Sequence, residues 1–108
     1  MKKALSQISE SLFTRGIEKA KLPKRFRQPT FTMYNGRTDP VEHINQFKQK
    51  MVVHSQDEAL LCRVFPSSLG QMPMRWFDGL RTNSISSFKK LTQSFCSRFI
   101  RAVGFLNP

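Results

Sequence analysis

Cysteine is scarce in this chain of 108 residues. Cys62 and Cys96 are its only cysteines, and neither has another cysteine or a histidine two to five residues away. Structural zinc sites use ligands at such short spacings, so the spacing excludes a zinc site of that kind. A disulfide between the two stays open from spacing alone. We expect instead two small buried side chains in a reduced, intracellular protein.

Long hydrophobic runs are also missing. The longest uninterrupted apolar run covers residues 59–62, and residues 102–106 exceed it only if Gly104 is counted. A membrane-spanning helix needs about 20 apolar residues in a row. The first ten residues reach polar side chains and Glu10 before any apolar stretch forms, which does not match a secretory signal. We therefore expect no membrane span and a cytoplasmic location, with the nucleus left open.

Glycines and acidic residues are too few or too scattered for the common catalytic patterns. The five glycines stand far apart, which excludes a glycine-rich phosphate loop. Four of the seven acids stand in helix-start signals rather than in a paired-carboxylate site. His43 and His54 lie eleven residues apart, without a metal-binding spacing, and we expect His43 on a helix surface. We expect no enzyme, metal, cofactor or small-molecule substrate.

The chain does contain helix-start signals, and the predicted helices are joined by short links. The clearest is Asp39 as N-cap with Pro40 at the first helical position and Glu42 closing a capping box. Its predicted apolar stripe is Val41, Ile44, Phe47 and Met51. A second capping box, residues 55–58, predicts a helix that ends at or soon after Pro66.

Two further helices are predicted in the second half of the chain. The third begins near Met72 with Pro73 in its first turn. The fourth begins at Ser84 or Ser86 and ends near Ala102. Helical spacing of the large apolar residues predicts the centre of the core, which we expect to contain Phe47, Phe65, Trp76, Phe77, Phe88, Leu91, Phe95 and Phe99.

The first 37 residues form a basic leader. Leu5, Ile8 and Leu12 are spaced as in a short helix that Gly16 would stop. Residues 22–34 contain Pro23 and Pro29 and are predicted to be extended, before a turn at Asn35-Gly36. We therefore predict an all-α bundle of four to five helices over residues 38–102, an extended segment packed across it, and a short tail over residues 103–108.

Positive charge dominates the composition, with 18 Lys and Arg against 7 Asp and Glu and a net charge of +11. Five cations fall within nine residues of the leader, and we call them the basic cluster: Lys19, Lys21, Lys24, Arg25 and Arg27. Such a cluster fits a phosphate backbone. It also fits a solvated surface, so both interpretations stay open. No base-stacking array or known nucleic-acid motif accompanies the cluster.

Four groups of motifs follow one another in order along residues 11–100. They are Leu-Pro-Lys-Arg-Phe (22–26) with Pro29, Tyr-Asn-Gly (34–36), Thr-Asp-Pro (38–40) and His-Ile (43–44); Leu-Cys-Arg-Val-Phe-Pro (61–66) with Ser68 and Leu69; Arg-Trp-Phe (75–77) with Leu80; and Asn-Ser-Ile (83–85) with Ser87, Phe88, Leu91, Phe95 and Phe99. Together they resemble the start of the Gag capsid region of plant gypsy-type long-terminal-repeat retrotransposons. The ordered set is more specific than any one of these motifs.

The resemblance implies a helical structural domain that self-associates into particle shells around the RNA of the element. It implies that the aromatic positions are core residues of the amino-terminal capsid lobe. One departure from the family pattern is that residues 70–74 read Gly-Gln-Met-Pro-Met. We also expect neither the second helical lobe nor the zinc knuckle of the family, and so the amino-terminal lobe alone, from a degenerate or truncated element. The alternative is a small basic nucleic-acid-binding module; peptide binding in a helical groove has no sequence signal.

Overall fold

The computed structural model describes residues 11–100. Five α-helices occur in this range, and we number them α1 (Arg15–Glu18), α2 (Pro40–Lys50), α3 (Glu58–Val64), α4 (Gln71–Asp78) and α5 (Phe88–Phe99). Short 3₁₀ turns, Val52–His54 and Phe65–Ser68, follow α2 and α3. Within the described range the only β pairing is two isolated bridges. The all-α prediction is confirmed. The predicted helix around Leu5 and Ile8, the helix end near Ala102 and the tail lie outside the described residues.

Helix α2 begins where the sequence predicts. The Asp39 side chain caps it by accepting a hydrogen bond from the Val41 backbone N–H at 2.9 Å, and Pro40 occupies the first turn. The Glu42 carboxylate accepts a hydrogen bond from the Gln46 side chain instead of closing the predicted capping box. The predicted stripe is wrong at Val41, which is 45% exposed, because His43 takes the buried position on this face instead.

Two predicted helix starts are shifted toward the C-terminus. Asp57, not Ser55, caps α3 by accepting from the Leu60 N–H, because residues 55 and 56 form a hydrogen-bonded turn after the 3₁₀ turn. Ser87, not Ser84 or Ser86, caps α5 by accepting from the Lys90 N–H. The backbone of Ile85 is already paired: its N–H donates to Leu12 and its carbonyl accepts from Thr14. A residue paired in this extended way cannot also begin a helix.

Residues 11–37 pack across the helices and form two isolated β-bridges with segments between them. Phe13 pairs with Ile85, and Tyr34 pairs with Leu69. The prediction that Gly16 stops a helix running through Leu12 is wrong, because Gly16 lies inside α1 and the chain at Phe13 is bridged. We name residues 19–34 the strap. It ends at the predicted Asn35-Gly36 turn, where Gly36 has φ +88° and lies under the Met72 side chain, so that a Cβ there would come within 2.8 Å of it.

One hydrophobic core joins the helices and the chain before them. Helix α1 packs on α3, and α5 packs on both α2 and α3. Phe65 and Phe95 are fully buried at the centre, with their rings edge-to-face at 5.1 Å between centroids. The buried apolar residues include Phe13, Ile17 and Tyr34. Residues 11–37 therefore contribute side chains to this core.

The structure places the eight predicted core residues in two groups. Seven are buried: Phe47, Phe65, Phe77, Phe88, Leu91, Phe95 and Phe99. Trp76 is only partly buried and packs against the edge of the core, with its ring 5.8 Å from Phe95 and 5.6 Å from Phe99. Trp76 is displaced outward because Phe77, its neighbour in α4, occupies the inward position.

Candidate nucleic-acid interface

All five residues of the basic cluster are exposed on the strap: Lys19, Lys21, Lys24, Arg25 and Arg27. The apolar residues between them face the other way, because Leu22 and Phe26 are partly buried and pack against the core. A run of alternating cationic and apolar residues thus has one side fixed to the helices. The cations are thus held on an anchored surface segment rather than on a free tail.

Arg63 of α3 fixes the beginning of the strap. Its Nη1 donates hydrogen bonds to the carbonyl oxygens of Glu18 at 3.2 Å and Ala20 at 3.4 Å. These two carbonyls flank Lys19, so the first cation of the cluster leaves from an anchored backbone. Hydrogen bonds from a charged donor are stronger than those between neutral groups.

Aromatic contacts fix the rest of the strap. The Phe26 ring meets the His54 ring edge-to-face, with centroids 5.2 Å apart, and Phe31 stacks on Phe47 at 5.2 Å. Near the end of the strap, Lys50 Nζ donates to the Thr30 carbonyl at 2.7 Å. The Phe26 ring is therefore held by its contact with His54 and stays partly exposed among the cations of the strap.

Three acidic side chains, Glu18, Asp39 and Asp57, are used for other contacts. Glu18 accepts a hydrogen bond from the Ser11 hydroxyl at 2.6 Å, while Asp39 and Asp57 cap α2 and α3. Lys24, Arg25, Phe26 and Arg27 line an open hollow of about 620 Å³ on the strap surface. Three cations around one hollow produce a local positive potential that attracts phosphate groups.

His43 is buried, and the prediction of a surface position is wrong. Its Nε2 lies 2.9 Å from the Ser68 hydroxyl, which itself donates to the Phe65 carbonyl at 2.7 Å. Since the hydroxyl proton is already donated, Nε2 must carry the proton and donate to Ser68 Oγ. Burial lowers the pKa of His43, so the ring is neutral at physiological pH. The i, i+4 spacing of His43 and Phe47 was the signal for this inward position.

Other ionisable side chains in the core are held in their neutral forms. Burial, with the Glu58 carboxylate adding to it, raises the pKa of the Cys62 thiol to about 12. Burial also raises the pKa of Cys96. Both cysteines are free thiols. A thiol protonated at neutral pH is a poor nucleophile and a poor metal ligand, so Cys62 acts as a small core residue.

No group of three or more His, Cys, Asp or Glu side chains within residues 11–100 is close enough to hold a metal ion. No helix in this range is both long enough and apolar enough to cross a membrane.

No protein-family model, no curated protein and no solved structure matches this chain. The assignment of a function therefore depends on the sequence motifs and on the geometry of the basic cluster.

Proposed function

We propose that the chain is a non-catalytic structural lobe of a retrotransposon Gag protein, which self-associates and contacts the RNA of the element through the basic cluster. The observation that carries the RNA contact is the fixed strap, which holds five exposed cations in nine residues. The ordered motifs over residues 11–100 support the Gag assignment, and the helical core formed by their aromatic residues is compatible with it.

The strap favours binding that does not depend on base sequence. Lys and Arg side chains neutralise phosphate charges without reading bases, and any stacking on the partly exposed Phe26 ring would tolerate every base. Anchoring by Arg63 and Phe26 reduces the conformational freedom that the backbone would lose on binding. A structural lobe that packages RNA needs this type of contact, since the whole length of the RNA must be enclosed.

Self-association is supported by two adjacent exposed valines. Val52 is 62% exposed and Val53 is 87% exposed, in the 3₁₀ turn between α2 and α3. Burying such side chains against a second copy gains on the order of 1 kcal/mol each, which supports a weak contact. Weak contacts repeated over many copies are sufficient for a shell, because each copy is held by several neighbours.

The salt dependence of RNA binding tests the contact with the basic cluster. In the triple variant Lys24→Ala, Arg25→Ala and Arg27→Ala, the slope of log K against log salt for single-stranded RNA should become shallower by about 2, or about 0.7 per lost phosphate contact. Fluorescence anisotropy of a labelled RNA at several salt concentrations measures this slope.

A triple variant of equal charge change is the matched control. Arg75, Arg81 and Lys90 are exposed residues outside the strap, and replacing all three with alanine removes the same number of charges. The control should change the slope far less than the strap variant. Equal effects of the two variants, or RNA binding that ignores salt, would contradict a defined contact at the basic cluster.

The second candidate is a small basic module that binds nucleic acid without assembling. The same fixed cations favour it. The two candidates differ only in self-association, so the oligomeric state of the chain separates them.

A further inference from the structure

A half-open cleft of about 470 Å³ lies between α2, α3 and α5. Its floor is made by Met51, Leu61 and Phe88, which are otherwise buried core residues. Lys48 and Lys89 are exposed residues of its lining, one at the end of α2 and one at the beginning of α5. The volume is within the range of protein pockets that bind small ligands or single side-chain anchors, about 300–1,000 Å³.

Glu58 is the acidic residue of the cleft, and its carboxylate is already used. Its Oε1 accepts a hydrogen bond of 2.8 Å from the Phe88 backbone N–H, at the N-terminus of α5. A carboxylate in this position is stabilised by the helix dipole. One oxygen of Glu58 is thus held by the backbone of the protein itself, while Lys48 and Lys89 are exposed, so the three charged side chains of the lining carry a net charge of +1.

This combination of an apolar floor and two cations fits a ligand that is apolar in the middle and anionic at its ends. The chain itself is poor in such segments, since it has only 7 acidic residues against 18 basic ones. Its one pair of adjacent acids, Asp57 and Glu58, already caps α3 and contacts Phe88. A second copy of the chain therefore offers a poor match, whereas an acidic segment of another protein is complementary in charge.

We propose that this cleft binds a short acidic peptide segment of a different protein, with an apolar side chain on Met51, Leu61 and Phe88 and carboxylates at Lys48 and Lys89. No residue of the strap lines the cleft. The proposed peptide site is thus separate from the basic cluster, and it stands whether or not the RNA contact is correct.

Binding of a labelled peptide tests the proposal. The probe is fluorescein-labelled Asp-Asp-Leu-Phe-Glu-Glu, measured by anisotropy with the intact chain. The double variant Lys48→Ala and Lys89→Ala should weaken binding by about tenfold, as expected for the loss of two partly desolvated charge contacts. The control variant Arg75→Ala and Lys90→Ala has the same net charge and should change the affinity by less than about twofold.

Two further comparisons test the apolar floor. Replacing Leu-Phe in the probe with Ser-Ser should abolish measurable binding. Thr92→Trp should also abolish binding, because it places a large ring in the cleft. The Thr92 hydroxyl donates a hydrogen bond to the Lys89 carbonyl of its own helix, so its loss removes no contact between helices. Circular dichroism melting should show that each variant keeps its fold.

Four results would overturn the proposed site. They are absence of binding to the wild-type chain, equal binding of the Ser-Ser probe, equal loss in both double variants, and loss of binding in the strap variant Lys24→Ala, Arg25→Ala and Arg27→Ala. The last result would show that the acidic peptide binds the basic cluster instead of the cleft. The salt dependence of RNA binding would still test the proposed RNA contact independently.

Discussion

His43 connects α2 to the 3₁₀ turn Phe65–Ser68 through the Ser68 hydroxyl. Its ring also lies against Tyr34, Phe65 and Phe95, with centroids 5.1 to 5.9 Å away. Protonation would place a positive charge among these rings, which explains why burial lowers the pKa of this histidine. The residue is thus a neutral polar link inside an aromatic core.

The His43 environment predicts a loss of stability in mild acid. The folded protein holds His43 with a pKa below the unfolded value of about 6.5, so the unfolded chain binds more protons as the pH falls. The free energy of unfolding should therefore decrease below about pH 6.5, by up to about 1.4 kcal/mol per pH unit, until the folded pKa is reached. Urea unfolding at a series of pH values measures this decrease.

His43→Gln is the variant that isolates this effect. Glutamine keeps an N–H donor for Ser68 but does not titrate. The decrease in stability between neutral pH and mild acid should be smaller in this variant than in the wild type. An identical pH dependence in the two proteins would show that other groups cause the acid sensitivity.

Trp76 and Phe95 should differ in what truncation costs. Phe95 is fully buried, so Phe95→Ala should lower the free energy of unfolding by about 3–5 kcal/mol. Trp76 is only partly buried, and Trp76→Ala should cost about 1–3 kcal/mol, less than the 3–5 kcal/mol of a fully buried tryptophan. Urea denaturation of both variants shows which substitution lowers the free energy of unfolding more. A larger loss for Trp76→Ala would contradict the edge position of this side chain.

At the scale of elements, the strap is fixed to the helices by a few side chains from α2 and α3. Arg63→Ala removes the hydrogen bonds to the Glu18 and Ala20 carbonyls. The strap should then open more often, while the free energy of global unfolding changes little, because the core contacts stay. Trypsin cleavage at Lys19 and Lys21 should become faster than in the wild type.

Arg75→Ala is the control for this change, since Arg75 is an exposed arginine of α4. Its cleavage pattern within the strap should match that of the wild type. Unchanged cleavage at Lys19 and Lys21 in Arg63→Ala would mean that the aromatic contacts of Phe26 and Phe31 hold the strap without Arg63.

The helices that carry strong local signals could be predicted from the sequence, and those that depend on distant pairing could not. Asp39 and Pro40 set the beginning of α2 by local capping. The beginning of α5 depends on the pairing of Ile85 with Leu12 and Thr14, more than 70 residues earlier in the chain. No periodicity within residues 84–88 contains that information.

The candidate site could be predicted in part. The five cations stand out by density alone, and the structure shows all five exposed. The anchoring of their backbone could not be foreseen, because Arg63 lies 43 and 45 residues from the two carbonyls to which it donates. The cleft with Lys48 and Lys89 was missed for the same reason: its lining comes from residues 48–92, which only the packed helices bring together.

At the scale of the whole molecule, charge and core are arranged on one small domain. The net charge of +11 is high for 108 residues, and five of its cations are fixed together on the strap. Like charges held this close repel, so a polyanion bound along the strap would relieve the repulsion. Self-association of such a basic chain should accordingly be favoured by RNA and by added salt, both of which reduce the repulsion between copies.

The central claim is that the chain is an assembling structural lobe, and sedimentation velocity over a rising protein concentration tests it most directly. We predict that the average mass increases with concentration, and that Val52→Asp with Val53→Asp abolishes the increase without changing the helical content. Val41→Asp, at another exposed valine, should associate like the wild type. A strictly monomeric wild type at the highest concentration, with and without RNA, would contradict the claim and leave the small basic module as the better account.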